Sequence, residues 1–94
     1  MIKKITFSLK LSLLIIFPIR SEEDTNTDLA LSYFMQGEFL MSQGNYALAI
    51  LEFQEAIALD PNASTIHVAI ADGYIKLGKL KRSETHLKIA IELD

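Results

Sequence analysis

The sequence lacks cysteine and tryptophan altogether, and it has only two prolines and four glycines in 94 residues. The absence of cysteine excludes disulfides, thiolate zinc ligands, a cysteine nucleophile and a lipid-modified cysteine. Half of the residues are hydrophobic and 22% are charged, which is the balance of a globular chain and not of a disordered or collagen-like one. A chain of this length has room for one small domain.

Basic residues are scarce beyond the first 21 positions. The chain has nine lysines and arginines and twelve acidic residues, but only five of the nine lie after Ser21, where all twelve acids lie. The body of the chain therefore carries a formal charge of −7 and has no basic stripe that could neutralise phosphates. We predict that the protein does not bind nucleic acid.

The first 21 residues have the layout of a secretory signal. Lys3 and Lys4 precede an apolar stretch from Leu11 to Phe17, and an acidic run follows at residues 22–24. The apolar stretch is shorter than the ~20 residues that span a bilayer. We predict a signal peptide over residues 1–21 and export to the periplasm or envelope, with secretion as an alternative.

Cleavage of this segment is a separate question, because no triplet of the small-x-small type precedes the acidic run. The best site follows Ser21 and leaves Ile19 three residues before the cut. An uncleaved segment would be the one part of the chain expected to contact a membrane. The sequence leaves both outcomes open.

Helical periodicity dominates the rest of the chain. Residues 22–29 are largely polar and acidic, and they predict a flexible lead-in. From about residue 28 to the end, apolar residues recur at helical spacing, with breaks at 44–45, 60–62 and 78–79. The predicted helices cover residues 28–43, 46–59, 62–77 and 80–93.

Each break has a local cause. Gly44 and Gly78 can adopt the left-handed conformation that ends a helix, and Pro61 suits the first turn of the next helix. Helices joined by two or three residues must fold back as antiparallel neighbours. The sequence therefore predicts an all-α fold of two antiparallel helix-turn-helix hairpins.

The two hairpins are near copies of each other at an offset of 34 residues. Small residues pair with small ones, as Gly37 does with Ala71, and large residues pair with large ones, as Phe53 does with Leu87. The identical pairs are Gly44 with Gly78, Ala56 with Ala90, Ile57 with Ile91, Leu59 with Leu93 and Asp60 with Asp94.

This period and its residues resemble the tetratricopeptide repeat. The signature positions of residues 30–63 hold Tyr33, Gly37, Leu40, Gly44, Tyr46, Ala49, Phe53, Ala56 and Pro61. Gln36 departs from the leucine that the family usually has there. Residues 64–94 resemble a weaker copy, incomplete at its end, with His67 in the aromatic slot. The resemblance implies a short right-handed α-solenoid that binds another protein or peptide and is not an enzyme.

Small side chains mark the places where helices of this pattern approach most closely. Gly37, Ala49 and Ala56 are expected at the closest contacts, whereas Tyr33 and Phe53 fill the space beside them. Each large side chain contributes on the order of 1.5–3 kcal/mol if fully buried. The predicted repeat-packing set is Tyr33, Gly37, Leu40, Gly44, Ala49, Phe53, Ala56, Pro61, Ala71, Tyr74, Gly78 and Ala90.

No residue set has the convergence that catalysis or a metal site requires. His67 is expected in a packing slot and His86 on the last helix, neither with a convincing set of partners. Glu52 and Glu55 share a helix face that we expect to be solvated, and the basic cluster at residues 79–82 is too small to indicate nucleic acid binding. We predict no catalytic residue, no metal and no cofactor.

The resemblance also implies a concave groove along the first helix of each repeat. Some members of the family grip an acidic C-terminal peptide there with lysine and asparagine, but this chain lacks that set, and its acidic side chains would repel such a peptide. We expect an apolar or weakly basic partner segment instead. The predicted groove residues are Phe34, Glu38, Met41, Val68, Asp72 and Ile75.

These observations predict an exported adaptor or assembly subunit that binds a partner segment in the groove. The alternative is a structural subunit of an envelope complex that forms homo-oligomers through its last helix, where Leu80, Leu87, Ile89 and Ile91 cannot all face the other helices. The pattern reaches Asp94, which pairs with Asp60, the first residue of the Asp-Pro-Asn turn. Whether the chain is a fragment of a longer repeat protein stays open.

Overall fold

The structure is a computed structural model that describes residues 25–94, and every regular element in that part of the chain is a helix. The helices are α1 over 25–42, α2 over Tyr46–Leu59, α3 over Ser64–Lys76 and α4 over Leu80–Leu93. This confirms the predicted all-α fold of two helical hairpins, α1 with α2 and α3 with α4. The bounds of α2 and α4 are those that the sequence predicts.

The start of α1 corrects the predicted flexible lead-in. Residues 25–29 are helical, although they lack the apolar pattern that marks the rest of the helix. Thr27 and Ala30 lie with Ile66 of α3 around one cavity, and Ala30 is only 2% exposed. The five residues before Ala30 are all exposed, so the helix extends beyond the first residue that it buries.

The first helix of each hairpin ends in the same hydrogen-bonded turn. Gly44 has φ +81° and Gly78 has φ +75°. The N–H of Asn45 donates to the Leu40 carbonyl over 2.9 Å, and the N–H of Lys79 donates to the Tyr74 carbonyl over 2.8 Å. Both turns are Schellman motifs, in which a left-handed glycine lets the chain satisfy the last carbonyls of the helix.

The connection between the hairpins differs from its prediction. Pro61 was expected in the first turn of α3, but it lies in a turn and α3 begins at Ser64. Asp60 is not helical, as is usual for a residue before proline, and its carbonyl accepts the N–H of Ala63 over 3.3 Å. A four-residue turn with proline in its second position therefore separates the helices.

One hydrophobic core joins the hairpins and is centred on α2 and α3. Its buried members are Ala49, Ile50, Phe53, Ala56, Ile66 and Ile70. Phe53 and Ile70 are fully enclosed, and half-buried side chains of α1, including Tyr33 and Leu40, pack against them. By contrast, α4 buries only Ser83 and Ala90.

Two glycines let the helices approach each other closely. A Cβ added at Gly37 of α1 would overlap the ring of Phe53. A Cβ added at Gly73 of α3 would lie 2.8 Å from Cγ1 of Ile50. The contacts of α1 and of α3 with α2 therefore depend on residues that have no side chain.

The prediction of a signal peptide over residues 1–21 falls outside the described residues and stays a prediction. Within residues 25–94, no helix has the length and apolar character needed to cross a membrane.

Candidate functional site

A shallow cavity of about 400 Å³ opens along the faces of α1 and α3. Five of the six predicted groove residues line it: Phe34, Glu38, Val68, Asp72 and Ile75. The other lining residues are Thr65, Ala69 and Ala71 of α3 and Leu87 of α4. The groove positions that the resemblance implies therefore converge on one surface, to which α4 also contributes.

Helical spacing explains how these side chains come together. Phe34 and Glu38 are four residues apart on α1, and Val68, Asp72 and Ile75 follow at four and three residues on α3, so each set shares a face. Phe34 is half-buried, and its ring centroid lies 5.7 Å from that of Phe53. The core thereby holds one wall of the groove in place.

The groove combines exposed apolar surface with negative charge. Val68 is 48% and Ile75 is 47% exposed, so both can be contacted from outside. Glu38 and Asp72 are exposed carboxylates, and no lysine or arginine is among the lining residues. A ligand in this groove would meet apolar contacts and a negative potential together.

Met41 is the one predicted groove residue that does not line the cavity. Its side chain is half-buried and packs against the core, and its sulfur lies 3.7 Å from the point that a Cβ of Gly73 would occupy. Met41 therefore lies beside Gly73 at ordinary contact distance, whereas Cγ1 of Ile50 takes the space of the missing side chain. Leu87 was not predicted as a groove residue, but it lines the cavity. It lies on α4, a helix that the resemblance does not associate with the groove.

The predicted repeat-packing residues fall into three groups by position. Gly37, Ala49, Phe53, Ala56, Ala71 and Ala90 are buried, whereas Tyr33, Leu40 and Tyr74 are half-buried. Gly44, Pro61 and Gly78 are exposed, and they shape turns without packing in the core. Their role in the fold is conformational.

The two histidines, which have no evident partners in the sequence, lie side by side. Nδ1 of His67 is 3.2 Å from Nδ1 of His86, and Nε2 of His67 is 3.3 Å from the Pro61 carbonyl. Because a carbonyl only accepts, His67 donates from Nε2, which leaves its Nδ1 to accept a hydrogen bond from Nδ1 of His86. This contact ties α3 to α4.

Burial and charge act in the same direction on His86. Desolvation lowers the pKa of His86 below its usual value of 6.5, and the neighbouring His67 lowers it further. The centroid of the Tyr74 ring lies 5.7 Å from that of His86. The guanidinium of Arg82 lies over the Tyr74 ring, 5.9 Å from its centroid. Protonation of His86 is disfavoured in this setting.

The remaining charged candidates do not converge. Within the described residues, no three histidines or carboxylates are grouped as metal ligands. Glu55 is exposed and Glu52 is half-buried on α2, and neither lines a cavity described above. Lys79, Lys81 and Arg82 are exposed at the start of α4, where Arg82 contacts Tyr74.

Residues 30–63 match the model of the family described as tetratricopeptide repeat. The chain therefore contains a tetratricopeptide repeat at residues 30–63. The matched range takes in most of α1, all of α2 and the turn that follows. A comparison with curated proteins finds no significant match.

The family has a general role. Tetratricopeptide repeats are protein-interaction modules, and proteins of this family generally bind other proteins or peptides and are generally not enzymes. The second hairpin lies outside the matched range and carries the 34-residue pattern in weaker form.

Proposed function

We propose that this tetratricopeptide repeat protein is an exported, non-enzymatic adaptor or assembly subunit that binds a segment of a partner protein in the groove between α1 and α3. The observation that carries the proposal is the cavity of about 400 Å³, in which apolar and acidic side chains from two helices share one open surface. Exposed apolar surface rimmed by polar groups is typical of binding sites.

The composition of the groove indicates the chemistry of the partner. Phe34, Val68 and Ile75 offer apolar contacts, so the segment should present apolar side chains. Glu38 and Asp72 favour lysine or arginine beside them and disfavour acidic residues, since like charges at an interface oppose binding. We therefore propose an apolar, weakly basic segment.

Two synthetic peptides of equal length test this chemistry. One alternates leucine and lysine at helical spacing, and the other has glutamate in place of lysine. We expect the lysine peptide to bind the full chain more tightly, with a difference that shrinks as salt screens the charges. Substituting Glu38→Lys and Asp72→Lys together should abolish or reverse the preference.

A matched control changes the net charge equally outside the groove. Glu55 and Glu92 are exposed and do not line the cavity, so the pair Glu55→Lys and Glu92→Lys should leave the preference for the lysine peptide in place. Equal effects of both double variants would assign the preference to net charge and would overturn the proposed site.

Export carries its own test. Mass spectrometry of the protein from the exported fraction should find an N-terminus at Glu22 if the signal peptide is removed after Ser21. Recovery of the whole chain from the cytoplasmic fraction alone would contradict the proposal of an exported adaptor.

A second candidate function is favoured by the exposure of α4. Leu80 is 67% and Ile91 is 75% exposed, and such a surface could join copies of the chain in a structural oligomer. Light scattering over a concentration series separates this candidate from the adaptor, since a structural oligomer persists without any peptide.

A further inference from the structure

The side of α4 that faces α3 offers little apolar surface. Its buried residues are Ser83 and Ala90, which have small side chains, and His86 lies between them on the same helix face. The matching helix α2 buries Ile50 and Phe53 besides two alanines. Fewer buried apolar side chains therefore hold α4 in place, and a polar contact at His86 matters more for its attachment.

The polar contact at His86 is its hydrogen bond with His67 of α3. The two Nδ1 atoms lie 3.2 Å apart, and His67 is only 6% exposed. Because Nε2 of His67 donates to the Pro61 carbonyl, its Nδ1 has no proton and accepts the one on Nδ1 of His86. The two helices thus share one proton between two ring nitrogens.

Protons added to this pair act in two stages. One added proton leaves a hydrogen bond between the Nδ1 atoms, because one of the two rings can still accept. A second added proton gives each ring an N–H at both nitrogens, so that two donors and two positive charges face each other. The contact between α3 and α4 therefore turns from attractive to repulsive when both histidines are cationic.

The aromatic and basic neighbours of the pair do not offset a second positive charge. Tyr74 of α3 lies beside His86, with ring centroids 5.7 Å apart. Arg82 of α4 brings a further cation over the Tyr74 ring. Desolvation, and after it the charge of His67, lowers the pKa of His86. Each of these groups opposes the doubly protonated pair while the helices stay packed.

Acidic neighbours do not offset that charge either. The carboxylates on α2, α3, α4 and the turn between the hairpins are Glu52, Glu55, Asp60, Asp72, Glu84 and Glu92. Within residues 25–94, none of them forms an ion pair with a histidine, and Glu84 pairs instead with Lys88 on the exposed side of α4. Separation of the helices is the remaining way for the two cations to regain water.

Leu87 connects the histidine pair to the groove. It follows His86 on α4 and lines the cavity together with Val68, which follows His67 on α3. A change in the contact between the two histidines therefore moves Leu87 relative to the rest of the groove.

We propose that His67 and His86 form a pH-sensitive latch, which holds α4 on α3 and keeps Leu87 in the groove until both histidines are protonated. Histidine is the side chain whose usual pKa lies between pH 5 and 8, and these are the two histidines of the chain. The effect on the groove rests on the proposed function, whereas the release of α4 does not.

Hydrogen exchange of the full chain, followed amide by amide by NMR, tests the latch directly. Protection factors, which are corrected for the intrinsic exchange rate at each pH, should fall at least about tenfold in α4 between pH 7.5 and 5.5. An opening that takes up one proton gains about tenfold per pH unit. Protection in α2 should fall less, since α2 stays packed on α1 and α3. Equal losses in both helices would report unfolding of the whole domain and would overturn the proposal.

Two variants assign the effect to the pair. His86→Gln keeps a side chain that can donate to Nδ1 of His67 but does not titrate, so α4 should stay protected at both pH values. Thr85→His is the matched control, because it adds an imidazole on the exposed side of α4 and should leave the pH dependence as it is. A full loss of α4 protection at pH 5.5 in His86→Gln would contradict the latch.

Nitrogen-15 shifts of the imidazole rings provide a check that needs no variant. At pH 7.5, Nδ1 of His67 should lack a proton and Nδ1 of His86 should carry one. As the pH falls, full protonation of both rings should coincide with the loss of protection in α4. Two fully protonated rings in a chain whose α4 stays protected would overturn the proposal.

A peptide that alternates leucine and glutamine at helical spacing tests the effect on the groove, because it has no side-chain charge on which pH or the histidines could act. The full chain should bind it about threefold to tenfold more weakly at pH 5.5 than at pH 7.5, as loss of one apolar contact does. His86→Gln should bind it equally at both. Equal binding by the unmodified chain would overturn the effect on the groove. Absence of binding at either pH would overturn the proposed function, whereas the protection of α4 decides the latch.

Discussion

The two hairpins share one sequence pattern, but their second helices differ in burial. Ile57 of α2 is half-buried, whereas the identical residue of α4, Ile91, is 75% exposed. The same comparison holds for Phe53, which is fully buried, and Leu87, which is 38% exposed. Because α1 packs on Phe53 at Gly37 and α3 packs on Ile50 at Gly73, the difference comes from the neighbouring helices and not from helix propensity. Position in the stack decides what a repeated residue contributes.

The largest expected effect tests this difference directly. Phe53→Ala should lower the free energy of unfolding by about 3–5 kcal/mol, because it leaves a cavity in the core. Leu87→Ala at the matching position should cost only about 1 kcal/mol, since part of that side chain is already in water. Urea unfolding followed by circular dichroism measures both. Equal losses would show that the second hairpin is as tightly packed as the first.

A second prediction exchanges the residue sizes between the hairpins. Gly37→Ala should cost about 1–3 kcal/mol, because the new Cβ overlaps the ring of Phe53. The second hairpin has Ala71 with Leu87 at these positions, so adding Phe53→Leu should relieve the overlap. A double-mutant cycle should therefore give a coupling between the two changes. If the losses of unfolding free energy from Gly37→Ala and Phe53→Leu were simply additive, the two side chains would not compete for the same space.

The Schellman turns should respond alike in the two hairpins. Gly44→Ala and Gly78→Ala should each cost about 1 kcal/mol, because alanine is strained at positive φ. Neither glycine has an atom that an added Cβ would meet within 4 Å, so strain is the sole cost. Thermal unfolding of the two variants should show similar losses. A much larger loss for one of them would reveal a contact that only one hairpin has.

The histidine pair distinguishes the second hairpin from the first, which has Tyr33 and Glu52 at these positions. The lowered pKa of His86 means that the unfolded chain binds more protons below pH 6.5. Stability should therefore be full above pH 6.5 and fall as the pH drops through it. Unfolding curves at a series of pH values check this, and His86→Gln should flatten the profile between pH 7 and 5. An unchanged slope in that variant would assign the dependence to other groups.

The smallest expected effect comes from giving α4 the residue that α2 has at the matching position. Glu84→Ile restores the residue type of Ile50, and it should change the stability of the free chain by less than about 0.5 kcal/mol, because the lost pair with Lys88 is exposed. Association of the chain should rise, since an apolar side chain replaces an exposed charge on α4. Sedimentation and urea unfolding of one sample measure both quantities. A large gain in stability without association would show that Glu84 strains the folded chain.

Periodicity predicted the helices well, but their first residues less so. The ends of α2 and α4 follow from glycines and apolar spacing that act within a few residues. The start of α1 lies among exposed residues that lack the apolar pattern, and the start of α3 depends on a turn that removes Pro61 from the helix. The apolar pattern therefore does not mark the helix ends that lie outside it.

The groove shows the same limit. Helical spacing together with the family resemblance placed Phe34, Val68 and Ile75 on one surface, and the structure finds them around one cavity. Neither indicated that Met41 would turn toward the space beside Gly73. The side chain of a residue on a shared face can still pack beside a neighbouring helix, which only the tertiary structure reveals. That a partner binds in the groove stays a prediction.

The amino-acid sequence by itself determined the all-α fold, the 34-residue repeat and the turns at Gly44 and Gly78, because these depend on interactions between residues close in the chain. Only the tertiary structure decided that His67 meets His86 and that α2 is covered while Leu80 and Ile91 of α4 are exposed. Such contacts join residues that are distant in sequence, so they exist only once the helices have packed.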